Sequence, residues 1–139
     1  MLKYGKTSQN AIMALCYLAE GFDNGVTRHT SRDIATNRNL PQPIVAKLLV
    51  LLSQAGLVLG TPGPKGGYWL ARDPQDITLY DIVSHFERDG ERISCPKGIG
   101  KCDESNPCAL HQKLIDLDHQ LVDFLHENTL EAFVETVSS

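Results

Sequence analysis

The sequence predicts a mainly α protein with a small β-hairpin wing, that is, a winged helix-turn-helix followed by a long C-terminal helix suited to dimerisation. Three observations carry that prediction. Two short helical patterns joined by a brief turn follow a longer one within the first 56 residues. A glycine-rich stretch, "LVLGTPGPKGGYWLA", then lies between two short apolar runs, which is how a hairpin with an open tip is written. A leucine-spaced pattern from Leu110 to Leu125 marks the long helix near the C-terminus.

The first helix runs from Thr7 to Glu20, with Ile12, Leu15, Cys16, Leu18 and Ala19 as its apolar positions and Gly21 and the "DNG" at 23–25 ending it. In "HTSRDIATNRNL", Thr30 or Ser31 is the cap and Asp33 falls in the first turn, where a carboxylate suits the helix dipole; this helix ends near Asn37. Pro41 and Pro43 open a third helix whose expected stripe is Ile44, Leu48, Leu51, Leu52 and Ala55, closed by Gly56. Strands are expected at 57–59 and 68–70. After the linker "RDPQD", Thr78 caps "LYDIVSHFER", with Asp81 at the third position of a capping-box-like start. A cysteine loop covers 91–108, and a last turn or short helix lies around "LEAFVE". The organisation expected is a winged helix-turn-helix over 1–75, and over 76–139 a sensory loop with the dimerisation helix, the whole forming one compact unit.

Composition excludes two classes. At 139 residues, 42% hydrophobic and 22% charged, the chain is neither disordered nor membrane-spanning, since no apolar run reaches the ~18 residues a membrane helix needs. The N-terminal apolar positions are interleaved with polar ones, unlike a signal peptide, so a cytoplasmic protein is expected. The net charge of -4 conceals an asymmetry. Residues 1–72 carry eight Lys and Arg against three acids, whereas 73–139 carry five against fourteen. Only the first half is suited to face a polyanion.

In a helix-turn-helix the second helix of the motif enters the major groove of DNA. Off the expected apolar stripe lie Gln42, Pro43, Ala46 and Lys47. Gln42 can pair with adenine, Lys47 with guanine or phosphate, and the Ala46 methyl can touch thymine. Lys65 sits in the wing tip "GPKGG", suited to a minor-groove or phosphate contact. Arg28, Thr30, Ser31 and Arg32 stand where phosphates could be held. Tyr68 and Trp69 are read as packing between wing and core.

Cys95, Cys102 and Cys108 fall on a Gly/Pro-rich stretch, and His111 follows three residues after the last. Structural zinc sites usually bring ligands in close pairs, so zinc suits this spacing less well than an iron-sulfur cluster, with the fourth position open to a non-cysteine ligand. His111 is the candidate because it would share a face with Cys108 if the long helix began there. A disulfide is disfavoured in a cytoplasmic chain. Cys16 is read as a core residue, and His29, His85, His119 and His126 as surface or local packing. No catalytic motif is present. The alternatives are a regulator using zinc or thiol oxidation, and an iron-sulfur or redox carrier that binds no DNA, for which the wing would serve nothing.

These residues resemble the Rrf family of bacterial transcription regulators, of the IscR/NsrR type. The resemblance spans nearly the whole chain and rests on "LKYGKTSQNAIMALCYLA", "SRDIA", "AGLVLGTPGPKGGYWLA", "ITLYDIV", the three-cysteine loop and "FLHENTLEAF". It implies a homodimer with crossed long helices, binding a palindromic double-stranded DNA operator. It also implies a [2Fe-2S] or [4Fe-4S] cluster on Cys95, Cys102 and Cys108, whose state changes operator affinity in response to nitric oxide, oxygen or iron supply. His111 matches the ligand of the IscR branch. Ala46 and Pro62 replace that branch's glutamate and arginine, and the first cysteine gap is one residue longer. Ser8, Gln9 and Asn10 stand where the NsrR branch can offer an aspartate.

Overall fold

The computed structural model describes residues 5–87 and 109–138, the last four by backbone alone. Cys95, Cys102 and Cys108 lie outside the described residues, as does the expected loop at 91–108. The elements run α1 (Lys6–Glu20), α2 (Ser31–Arg38), α3 (Gln42–Gln54), β1 (Val58–Thr61), β2 (Gly67–Leu70), a single 3-10 turn (Pro74–Asp76), α4 (Leu79–Phe86), α5 (His111–Glu127) and α6 (Leu130–Ser138). No described helix is long and apolar enough to cross a membrane.

Helix α1 is the centre of the fold. Ala11, Ile12, Ala14, Leu15, Cys16, Leu18 and Ala19 are all buried, a set too wide for one face. Neighbours on several sides cover it: α2, α3, α4, α6 and β2 all pack against this helix. Its first turn contains no acid, and its Gly5 cap has no side chain to offer. Glu87 supplies both from a distance, accepting hydrogen bonds from Gly5 N–H and from the hydroxyl of buried Ser8, each at 2.8 Å. A carboxylate at this end also suits the helix dipole.

Capping boxes start α2 and α4. Thr30 Oγ1 accepts from Asp33 N–H at 3.1 Å while Asp33 Oδ2 accepts from Thr30 N–H at 2.9 Å. Thr78 and Asp81 repeat the arrangement at 3.1 and 3.0 Å. Asn39, in the left-handed region at φ 54°, ends α2 and turns the chain into α3 within three residues.

The buried face of α3 differs from the expected stripe. Val45, Leu48, Leu49 and Leu52 are buried, whereas Ile44 is 43% exposed and Leu51 and Ala55 are only partly covered. Apolar residues fill nearly every position from 44 to 52, so sequence pattern could not choose the face. Contacts with α2, α1 and β1 choose it instead.

Strands β1 and β2 pair antiparallel, Val58 opposite Leu70 through Thr61 opposite Gly67. They run a residue or more beyond the expected spans. At the other end of the molecule the segment 77–79 meets 128–130: Leu79 N–H donates to Asn128 O at 2.9 Å and Leu130 N–H to Ile77 O at 2.8 Å. That junction seats Leu130 and Val134 of α6 in the core beside α1.

Helix α5 begins at His111, with Leu110 as its cap and residues 109–110 in a turn. The helix therefore does not run back to position 108. The condition on which His111 was expected to share a face with Cys108, a long helix beginning there, is not met.

Truncation separates the two readings of α3. Leu49→Ala, at a fully buried position outside the expected stripe, should cost about 2–5 kcal/mol, and half-exposed Ile44→Ala less than about 1 kcal/mol. Urea unfolding followed by far-UV circular dichroism measures both. Equal losses would restore Ile44 to the core.

Candidate nucleic-acid interface

The residues that α3 leaves uncovered form one continuous face. Gln42, Pro43, Ala46 and Lys47 are exposed, as the sequence reading requires of base-reading positions, and the face continues through Val50, Ser53 and Gln54. Continuing the helical spacing from Gln42 and Ala46 would have found these three from sequence. Beyond them the wing begins. Val50, Ser53, Gln54, Gly60, Thr61, Pro62 and Tyr68 line a groove of about 370 Å³ between α3 and the hairpin.

The wing tip is a tight turn. Gly66 N–H donates to Gly63 O at 2.9 Å, which places Pro64 and Lys65 at the two central positions, with Lys65 exposed. Gly66 is required there: a Cβ would stand 2.1 Å from Thr61 O. The tip therefore presents a cation on a short, closed loop.

The cluster expected to hold phosphates is divided by the structure. Thr30 spends its N–H and an oxygen lone pair on the α2 capping box, so it serves first as a cap. Ser31 is half-buried and Arg32 exposed at the start of α2. The Asp33 carboxylate stands at the same helix end, held below its ordinary pKa first by the Thr30 backbone N–H and also by His29 and Arg32. Arg28 reaches back to the wing: its guanidinium lies 4.9 Å from the centre of the Trp69 ring and Nη1 donates to Thr61 Oγ1 at 3.3 Å. Tyr68 packs against the core as expected, whereas Trp69 packs against Gly25 and Arg28 of the α1–α2 loop.

The other half of the molecule is acidic. Asp116, Asp118, Asp123 and Glu127 lie on α5. The same helix carries an apolar row at Leu110, Leu114, Leu117, Leu121 and Phe124, of which Leu117 is 53% and Phe124 54% exposed. His126 stacks on Tyr80 with ring centres 3.9 Å apart, and His29 meets Tyr17 edge-on at 4.8 Å, local packing in both cases.

Among the described residues no group of three or more His, Cys, Asp or Glu is placed to hold a metal ion. His111, half-buried at the first position of α5, is the described member of the expected ligand set. Cys16 is buried in α1, and burial pushes its thiol up, away from the thiolate that a metal would need.

The sequence profile of Rrf2, described as an iron-dependent transcriptional regulator, matches residues 4–136. The chain belongs to the Rrf2 family. An HTH-type transcriptional regulator of Aquifex aeolicus is 34% identical over 133 residues, 94% of this chain and 90% of its own length. The HTH-type transcriptional regulator IscR of Klebsiella pneumoniae is 29% identical over 102 residues, 73% of this chain but 62% of its own length. The solved structure of CymR, the global cysteine regulator of B. subtilis, superposes with a TM-score of 0.78 at 24% identity, covering 98% of each chain, and so shares the fold. An Rrf2 regulator of the helix-turn-helix kind is a DNA-binding transcription factor and not an enzyme.

The α2 capping box has a pH signature. Because Asp33 is held below the ordinary carboxylate value, its contribution to stability is present above that ordinary value and lost as pH falls through the lower folded value. Asp33→Asn should therefore be less stable than wild type at neutral pH and converge with it at strongly acidic pH. Urea midpoints of the two proteins against pH measure this, and a gap that persists unchanged into acid would show that Asp33 acts by something other than its charge.

Proposed function

We propose that this Rrf2 regulator is a cytoplasmic homodimer that reads a palindromic double-stranded operator and adjusts its affinity to redox state, nitric oxide or iron supply through an iron-sulfur cluster. The observation that carries the reading is the continuous exposed face of α3 running into a wing whose tip presents Lys65. A helix face of this width suits the major groove, and a small, glycine-framed cation suits the adjacent minor groove or a phosphate.

Gln42, Pro43, Ala46 and Lys47 would meet base edges, and Lys65, Ser31 and Arg32 the backbone, with Thr30 acting through its cap and Arg28 through its hold on the wing. The half-exposed row on α5 at 110, 114, 117, 121 and 124 repeats with alternating spacings of four and three, which is the seam of a helix pair. A second copy covers such a row and sets two reading heads on two half-sites.

The donor chemistry of the loop fits a cluster: three thiols at 95, 102 and 108 with the imidazole of His111. When bound, a [2Fe-2S] or [4Fe-4S] group would supply a redox- and nitric-oxide-reactive centre to that loop. The chain's own residues then offer a route to the reading head. Glu87, just before the loop, holds Gly5 and Ser8 at the N-terminus of α1, and α1 packs on both α2 and α3. A loop state that displaced Glu87 would act on the helix that seats the reader.

Three measurements test the proposal. Leu117→Asp should give monomers by light scattering and lose operator binding. Lys65→Ala should weaken all sequences alike and lower the salt slope by about one, whereas Gln42→Ala should relax preference at one base pair by roughly 1–3 kcal/mol. Cys102→Ala purified without oxygen should be colourless with altered DNA affinity, and His111→Ala coloured but quicker to bleach. A colourless wild type with one zinc per chain would replace the cluster with zinc, and no salt-dependent DNA binding would remove the regulator reading altogether.

A further inference from the structure

The α1–α2 loop and the wing are fastened together at several points that neither element needs for its own fold. His29 N–H donates to Tyr68 O at 3.0 Å and Tyr68 N–H to His29 O at 2.7 Å, an isolated antiparallel bridge beside β2. Gly67, at φ 150°, permits this approach: a Cβ there would stand 3.0 Å from His29 N and O and 3.1 Å from Arg28 Cβ. Gly25, at φ 90°, does the same for Trp69, since a Cβ would stand 2.7 Å from the indole Nε1. The loop is itself closed, with Asp23 Oδ1 accepting Thr27 N–H at 2.9 Å.

Arg28 completes the joint, and it touches both strands. Its guanidinium stacks over Trp69 of β2 at 4.9 Å, Nη1 donates to Thr61 Oγ1 at the end of β1 at 3.3 Å, and Nε donates to Gly25 O at 3.4 Å. A planar guanidinium can stack and donate in its plane together, which an ammonium cannot. We propose that Arg28 is a positioning residue that clamps the hairpin to the α1–α2 loop and so sets where Lys65 stands relative to the exposed face of α3. A two-stranded hairpin is marginal alone. Released from this joint it would have to be ordered at each binding event, and affinity would fall without the loss of any DNA contact. The proposal rests on the reading of the wing as a DNA contact.

Trp69 is the single tryptophan of the chain, so its fluorescence reports the joint directly. Full-length Arg28→Lys, Arg28→Gln and Thr61→Val, with circular dichroism matching wild type, should all show easier acrylamide quenching of Trp69 in the absence of DNA. On a duplex selected by wild type from a random-sequence pool, Arg28→Lys should bind up to about tenfold more weakly while keeping the wild-type salt slope, the scale of one stacked cation with a hydrogen bond. Thr61→Val, which leaves the arginine's charge in place, should move the same way by less. Lys65→Ala should cost less in the Arg28→Gln background than in wild type, because a wing already misplaced has less to lose. Unchanged quenching, wild-type affinity in Arg28→Lys, or strictly additive losses at 28 and 65 would each overturn the clamp and leave Arg28 a phosphate contact. Lys65→Ala without effect in wild type would instead remove the wing from the DNA interface, and the quenching comparison would still decide the joint.

Discussion

Every other element depends on the burial of α1. A helix with seven apolar residues from Ala11 to Ala19 in the core cannot be a surface helix, and only a surround of other elements can keep it from water. The helix-turn-helix supplies one side, α4 and α6 others, and β2 closes against it. The reading head and the acidic C-terminal region therefore share one core. Helix α1 packs against both.

The two ends of α1 are treated differently. At its N-terminus Glu87 substitutes for the missing cap, binding a residue just before the cysteine stretch to the first turn of the central helix. At its C-terminus Glu20 pairs with Arg38 of α2, whose guanidinium also stands 5.5 Å from the centre of the Tyr17 ring. Charge thus ties α1 to the residue that leads toward the cysteine stretch at one end and to the helix-turn-helix at the other. These are long-range pairs, 82 and 18 residues apart, and no local pattern announces them.

On the interface the electrostatics are divided between building and binding. Asp33 is spent on a cap, at the helix end where the sequence placed it, and Arg28, a candidate phosphate holder in sequence, is engaged in the joint between loop and wing. Lys47 and Lys65 are left on exposed positions of α3 and the wing tip. Beside them, the groove contributes hydroxyl and amide groups from Ser53, Thr61 and Gln54 rather than charge.

The sequence by itself determined whatever local physics decides. The order of helices, the polar cap of α2, the capping box at Thr78, the glycine-framed wing and the leucine-spaced pattern of α5 follow from short-range spacing, hydrogen bonding and backbone freedom, and each was readable from a few neighbouring residues. Only the tertiary structure decided which side of α3 is buried, because eight apolar residues between 44 and 52 leave the choice to α1, α2 and β1. It also decided that His111 begins α5 rather than following a turn of it, that Trp69 lies against the loop at 25–28, and that Glu87 caps α1. Each of these depends on groups brought together by packing from far along the chain, where spacing in sequence holds no information about distance in space.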